Sequence, residues 1–212
     1  MYGIPVKEYA KLAEQFNPVR FNAGSLVQLA RNTGMKYVVM TTKHHDGFAM
    51  YHSKASGYNI VDATPFKRDV IREVADACRQ SNILLGLYYS QGQDWHHPGG
   101  ATNGNWDSLQ RGDMDKYIDD IAVPQVRELL SNYGPIAMFW WDTPVDMNDD
   151  RSARLGKQLA LQPSMITNNR LSVVPGMDYA TAYSGFHFSG DFFTPEQRVP
   201  FRSIEGYPWK YA

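Results

Sequence analysis

The hydrophobic pattern alternates between helical and extended periods. Val6 to Phe16 carries apolar residues at helical spacing, behind a Pro5 that a helix start tolerates. A second short helix opens at Asn22 or Gly24-Ser25, runs through Asn32 and closes at Gly34. Tyr37-Val38-Val39-Met40 then reads as a strand that does not alternate, as expected when both faces are covered. Arg68 to Gln80 is helical, with Val70, Ile71, Val74, Ala75 and Cys78 as its apolar stripe, and Ile83 to Tyr89 is the next buried strand. Met114 to Tyr133 is helical again, with Pro124 either kinking it or starting a fresh helix. Ile136 to Trp141 is an apolar strand that stops at Asp142-Thr143-Pro144, because proline cannot continue a ladder. A helix over Asp149 to Leu161, a strand over Ser164 to Thr167 and a last strand within Phe186 to Pro200 complete the pattern.

Buried strands separated by helices imply right-handed parallel crossovers and hence an α/β fold. Polar residues gather after strand upon strand, whereas the helix-to-strand turns are short and plain. That asymmetry fits a (β/α) barrel with its site on the C-terminal face. A doubly wound open sheet would concentrate its chemistry at one switch point, often on a glycine-rich phosphate loop, and no such loop occurs.

Composition narrows the picture. The net charge of −1, with no basic block, leaves no footprint for nucleic acid or an anionic membrane, and no apolar stretch approaches membrane-spanning length. The single cysteine, Cys78, excludes an intrachain disulfide, and 212 residues bury a core without a metal staple. Aromatic residues at 13% suit either a cleft that stacks on sugar or other ring faces or a thick core.

The strand ends supply the candidate chemistry: Lys43-His44-His45-Asp46, Tyr88-Tyr89, Trp140 with Asp142, Arg170, and Asp191 with Glu196. No serine sits in a nucleophile elbow. A metal hydrolase and a carboxylate-pair glycosidase remain. Adjacent histidines on extended chain point to opposite sides, which makes His44 and His45 poor twin ligands, and His96-His97 in a glycine-rich loop read as solvated. A glycosidase needs one ionised carboxylate and one protonated carboxyl group. Asp142, short and fixed at a strand end, suits the nucleophile; the longer Glu196, on a Thr-Pro-Glu turn, suits the acid. Asp46, Asp94, Asp146 and Asp191 are rival carboxylates. Trp140, two residues before Asp142, lies on the same face as an apolar wall.

Lys43-His44-His45-Asp46-Gly47-Phe48, Leu87-Tyr88-Tyr89-Ser90 followed by Asp94-Trp95, and Trp140-Trp141-Asp142 resemble, in this order, the α-L-fucosidases of glycoside hydrolase family 29. Phe66-Lys67-Arg68-Asp69 and Phe16-Asn17-Pro18 agree as well. The resemblance implies a retaining exo-hydrolase without cofactor or metal, acting on terminal α-L-fucose of oligosaccharides or glycoconjugates. It implies Asp142 as nucleophile, Glu196 as acid/base with Glu205 as fallback, and His44, His45, Tyr88, Trp140 and Arg170 as sugar contacts. The full-length family is secreted, periplasmic or lysosome-like. The family's Ile-His-Trp-Gly-like and Glu-Trp-Tyr-like segments have no counterpart in this chain. The resemblance therefore implies one partial catalytic domain over 1–212, an incomplete (β/α)8 TIM-like barrel showing about five of eight strands, without a C-terminal β-sandwich. Such a piece is expected to be unstable or inactive alone. The alternatives are a fucose-binding or vestigial barrel and a metal-dependent hydrolase.

Overall fold

The computed structural model describes residues 3–102, 104–172, 190–192 and 194. Its first helix, α1 (Val6–Ala10), tightens into a 3₁₀ turn over Lys11–Gln15, so the helix expected through Phe16 ends early. Only Val6 and Ala13 of that stretch are buried, too little apolar contact to hold a longer helix. In α2 (Ala23–Asn32) the Asn22 side chain accepts from the Ser25 amide at 2.8 Å, and Gly34, at φ +82°, turns the chain away. In α3 (Val70–Ser81) Asp69 caps the start by accepting from the Arg72 amide at 2.9 Å, and Asn82 ends it in the left-handed region. The stretch around Pro124 is one helical run: α4 (Met114–Tyr117), a π turn over Ile118–Ala122, then α5 (Val123–Asn132). The wide turn absorbs the amide that proline lacks. Asn148 caps α6 (Asp149–Gly156), which tightens into a 3₁₀ turn over Lys157–Leu161.

Four strands, β1 (Tyr37–Lys43), β2 (Leu84–Ser90), β3 (Met138–Asp142) and β4 (Ile166–Thr167), form one parallel sheet in the order β1-β2-β3-β4. Among the described strands the order never reverses, so the switch point of a doubly wound sheet is absent. Leu87, Tyr89, Phe139 and Trp141 are fully buried and share a core with helical Ile71, Val74, Val126 and Leu129. The intervening residues Tyr88, Trp140 and Asp142 face the other side, in the register Tyr88↔Trp140 and Ser90↔Asp142. The parallel register therefore delivers the chemistry of successive strands to one edge. Of the expected last strand, Phe192 forms a parallel bridge with Asn168; most of Phe186 to Pro200 lies outside the described residues.

β1 departs from expectation. Tyr37 is 43% exposed, and Val38, Val39 and Met40 are only half-buried. Among the described strands β1 pairs with β2 alone and stands at the edge of the sheet, where its side chains lack neighbours from a further strand. No described helix is long and apolar enough to cross a membrane.

A buried ion pair joins the end of β1 to the loop after β2. Lys43 Nζ donates to Asp94 Oδ2 at 2.9 Å and to the Tyr117 hydroxyl at 2.8 Å, and sits 4.7 Å from the Tyr89 ring centroid. Asp94 also accepts from the His97 ring and from the His96 and His97 amides. Burial pushes the Lys43 ammonium down, and Asp94 pulls against that shift. Burial likewise raises the Asp94 carboxyl, but Lys43 and His97 outweigh it and hold it below the usual carboxylate range. Both side chains are fully buried, so removing one leaves the other charge without compensation. Asp94→Ala is expected to lower unfolding stability by about 3–5 kcal/mol in urea denaturation, and a loss under ~1 kcal/mol would refute this account of the pair.

Candidate active site

The site is built at the C-terminal ends of the strands. Asp142 closes β3 with its backbone held by its neighbours: its N–H donates to Gln91 Oε1 at 3.0 Å, while Gln91 Nε2 donates to the Arg170 carbonyl at 2.6 Å. One residue earlier, the Asn168 side chain accepts from the Trp141 amide at 3.0 Å and donates to its carbonyl at 2.9 Å. A side-chain amide thus continues the ladder where β4 has ended. Thr143, immediately after Asp142, adopts φ +52°. A β-branched residue there is strained, which marks the sharp exit that turns the carboxylate onto the rim.

The Asp142 carboxylate is gripped from two sides. Oδ2 accepts from the Tyr88 hydroxyl at 2.5 Å, and Oδ1 accepts from the Arg170 guanidinium at 2.9 Å. Arg170 is buried and donates through Nε to Thr194 Oγ1 at 2.6 Å and through its other terminal nitrogen to the Thr194 carbonyl at 2.9 Å. Burial pushes the Asp142 carboxyl up, yet the Tyr88 hydroxyl and the Arg170 charge more than offset it, so its pKa lies below the usual value. The group is a fixed anion at neutral pH.

His45 faces this anion, with Nε2 3.9 Å from Asp142 Oδ2. Its Nδ1 lies 2.7 Å from Ser90 Oγ, whose own hydrogen goes to the Gln93 carbonyl at 2.9 Å. Nδ1 therefore carries the proton, and Nε2, 3.3 Å from the Thr143 hydroxyl, is the accepting nitrogen. Burial, with His44 beside it, lowers the His45 pKa to about 4. The ring is neutral at physiological pH, and its contact with Asp142 is not an ion pair. His44, which is exposed, stacks on Tyr88 with ring centroids 5.6 Å apart and planes at 11°. Trp140 is half-buried and meets Phe192 edge to face at 6.2 Å.

Asp142, His44, His45, Tyr88, Trp140 and Arg170 are thus brought to one rim, while Glu196 and Glu205 lie outside the described residues. The expectation that the histidine pair points to opposite sides is corrected. Their rings sit 4.0 Å apart, and with Asp142 they offer ligand atoms all within 4.8 Å of one another. Strand alternation does not apply to them because β1 ends at Lys43, after a register irregularity between Thr41 and Lys43. The loop histidines are not solvated either. His97 is buried, bonded to Asp94 at 2.9 Å and to Ser56 at 2.7 Å, and His96 stacks on Tyr58 at 3.9 Å.

Two rival carboxylates are structural. Asp94 belongs to the ion pair with Lys43, and Asp191 accepts from the Thr167 amide at 2.7 Å. Asp146 is exposed, and Asp46 accepts from the Phe48 amide at 3.2 Å. Gln91, Asn168 and Ser90 hold the site although residue type alone did not mark them. Their signal was position: each is buried and polar, at or just past a strand end.

A family model described as alpha-L-fucosidase matches residues 1–212. The chain is 28% identical over 220 residues to plasma alpha-L-fucosidase of Rattus norvegicus, covering 98% of this chain and 46% of that protein. Among solved structures, alpha-L-fucosidase AlfC from Lactobacillus casei, in complex with its alpha-L-fucose product, is 40% identical with a TM-score of 0.80, covering 94% of this chain and 62% of that one. An alpha-L-fucosidase from Vibrio sp. strain EJY3 is 35% identical with a TM-score of 0.84, covering 99% and 36%. The chain spans under half the length of such curated relatives as the rat and human plasma enzymes. With a family match along its whole length, this chain belongs to the α-L-fucosidase family.

Proposed function

We propose that the chain is the larger part of a (β/α)8 catalytic domain of a retaining exo-α-L-fucosidase. The observation that carries this reading is the Asp142 carboxylate, held ionised between Tyr88 and Arg170 at a strand end. A nucleophile for glycosyl transfer must be anionic, fixed in direction and beside an apolar wall, and Trp140 supplies that wall two residues away. The sequential parallel sheet, with its polar ends on one edge, supports the barrel.

Asp142 attacks the anomeric carbon of fucose as the bond to the leaving oxygen breaks, and Glu196 gives that oxygen its proton. Glu196, now a carboxylate, takes a proton from water, the water oxygen bonds to the anomeric carbon, and Asp142 is released. Glu196 follows Thr194 by two residues, and Thr194 is bonded to the same arginine that grips Asp142. This shared anchor favours Glu196 over Glu205. Neutral His45 accepts from a sugar hydroxyl through Nε2, while His44 and Tyr88 present ring and hydroxyl to the pocket. The substrate class is a terminal α-L-fucoside. AlfC has been solved with alpha-L-fucose, and a point mutant of it with Fuca(1,6)GlcNAc.

The test is hydrolysis of an aryl α-L-fucoside by the purified chain, and high turnover there also overturns the expectation that this piece is inactive alone. Asp142→Ala is expected to reduce turnover roughly 10³-fold or more, with azide restoring reaction and giving the β-configured fucosyl azide. Undiminished turnover in that variant rejects Asp142 as nucleophile. A chain that binds L-fucose in calorimetry without hydrolysing it is instead a binding module.

The hold on Asp142 also sets a pH dependence. Its carboxyl sits below the ordinary value partly because Tyr88 donates to it, so activity requiring the anion is retained above that lowered pKa and lost as pH falls through it. Tyr88→Phe removes a donor and is expected to move the acid limb of the kcat/KM profile to higher pH. A limb that stays in place, or moves to lower pH, contradicts the assignment of that limb to Asp142.

A further inference from the structure

The convergence of the histidine pair has a chemical use that glycosyl transfer does not require. We propose that His44, His45 and Asp142 form a site for one divalent transition-metal ion, with zinc the best fit, and that the ion excludes the sugar from the same pocket. The exclusion of sugar rests on the fucosidase reading; the ion site does not.

Two imidazoles and one carboxylate are the donor set of an open zinc site, in which a fourth position is left to water. Bonds of about 2.0–2.1 Å at tetrahedral angles place ligand atoms about 3.4 Å apart. His45 Nε2 and Asp142 Oδ2 already stand at 3.9 Å, and all three ligand atoms lie within 4.8 Å of one another. A movement of about half an ångström closes the first pair. His44 is exposed and can turn to complete the set. His45 is oriented as a ligand should be, because its Nδ1–H is committed to Ser90 and its Nε2 lone pair is directed toward the carboxylate. Two nitrogen donors favour zinc or copper over the hard cations magnesium and calcium.

The buried histidine-carboxylate pair in the loop after β2 offers no equivalent. Asp94 Oδ2 lies 2.9 Å from His97 Nδ1, but the Lys43 ammonium already occupies that same oxygen, whereas Arg170 takes the Asp142 oxygen that faces away from His45. Opposing forces act at the proposed site too. Arg170 lies 2.9 Å from Asp142 Oδ1, Tyr88 occupies one lone pair of Oδ2, and the Thr143 hydroxyl stands 3.3 Å from His45 Nε2. The ion must compete with these groups, so its affinity falls below that of a structural zinc site.

The experiment is calorimetric titration of the tag-free chain with zinc chloride, with magnesium chloride as control. One zinc per chain and no magnesium binding are expected. His45→Gln and Asp142→Asn should each weaken zinc at least tenfold, His52→Gln should not, and L-fucose should raise the apparent zinc Kd. Circular dichroism checks the fold of each variant, and exposed His44→Gln replaces any that unfolds. No zinc binding up to millimolar concentration, or unchanged affinity in folded His45→Gln, Asp142→Asn or the substituted His44→Gln, overturns the site. Loss of binding in His52→Gln overturns it as well. Zinc bound at these residues with an apparent Kd that L-fucose leaves unchanged upholds the ion site and overturns its exclusion of the sugar.

Discussion

A charge pair removed from water holds the first two strand ends together. Lys43 and Asp94 are both fully buried, and neither could remain charged there without the other. Asp94 orders the loop that follows β2 by accepting from two successive backbone amides and from the His97 ring. It also fits against Gly47, where an added Cβ would lie 2.5 Å from Asp94 Oδ1, and Gly47 takes φ +79°. The Trp95 amide then donates to the His45 carbonyl at 2.7 Å. The short segment from Lys43 to Gly47 is thus clamped at both ends, and the two histidines have little freedom except in their side chains.

The second constraint is electrostatic. Asp142 must be desolvated enough to sit in a pocket and stabilised enough to stay an anion. Burial drives its pKa up, and Tyr88 and Arg170 bring it back below the ordinary value. His45 obeys the opposite logic. Burial and the neighbouring imidazole remove its charge despite the attraction of Asp142, and its tautomer follows from the Ser90 hydroxyl. The same surroundings therefore produce a charged base next to a neutral one, a division of labour that one carboxylate and one histidine in water would not show.

The sequence made some of this legible and concealed the rest for physical reasons. The run ending in Trp140-Trp141-Asp142 announced a strand and a rim carboxylate, since burial and chain termination are local properties. The Asn22 and Asp69 caps and the Gly34 stop are equally local. The histidine pair departs from alternation because alternation holds only while the chain remains a strand, and β1 has ended by His44. Burial of His97 is hidden in the sequence because a glycine-rich loop resembles a mobile one. Here Gly99 and Gly100 permit close packing instead, and a Cβ on either would come within 2.5 Å of backbone oxygens. Exposure of β1 depends on which strands pair with it, and no local pattern encodes that.

What single residues could not reveal is cooperation across strand ends. The anion belongs to β3, its phenolic donor to β2, its neighbouring imidazole to the segment after β1, and its guanidinium to the segment after β4. These come together because parallel strands in sequential order place every C-terminal end on one edge, and because Gln91 and Asn168 extend the hydrogen bonding one residue past the last paired strand. Local strain at Thr143 is tolerated since those bonds fix the backbone on the residues before it. The geometry of the Asp142 carboxylate is in this sense a property of the sheet register. A shift of β2 against β3 by one residue would carry Tyr88 to the opposite face and leave Asp142 with burial but without its donor.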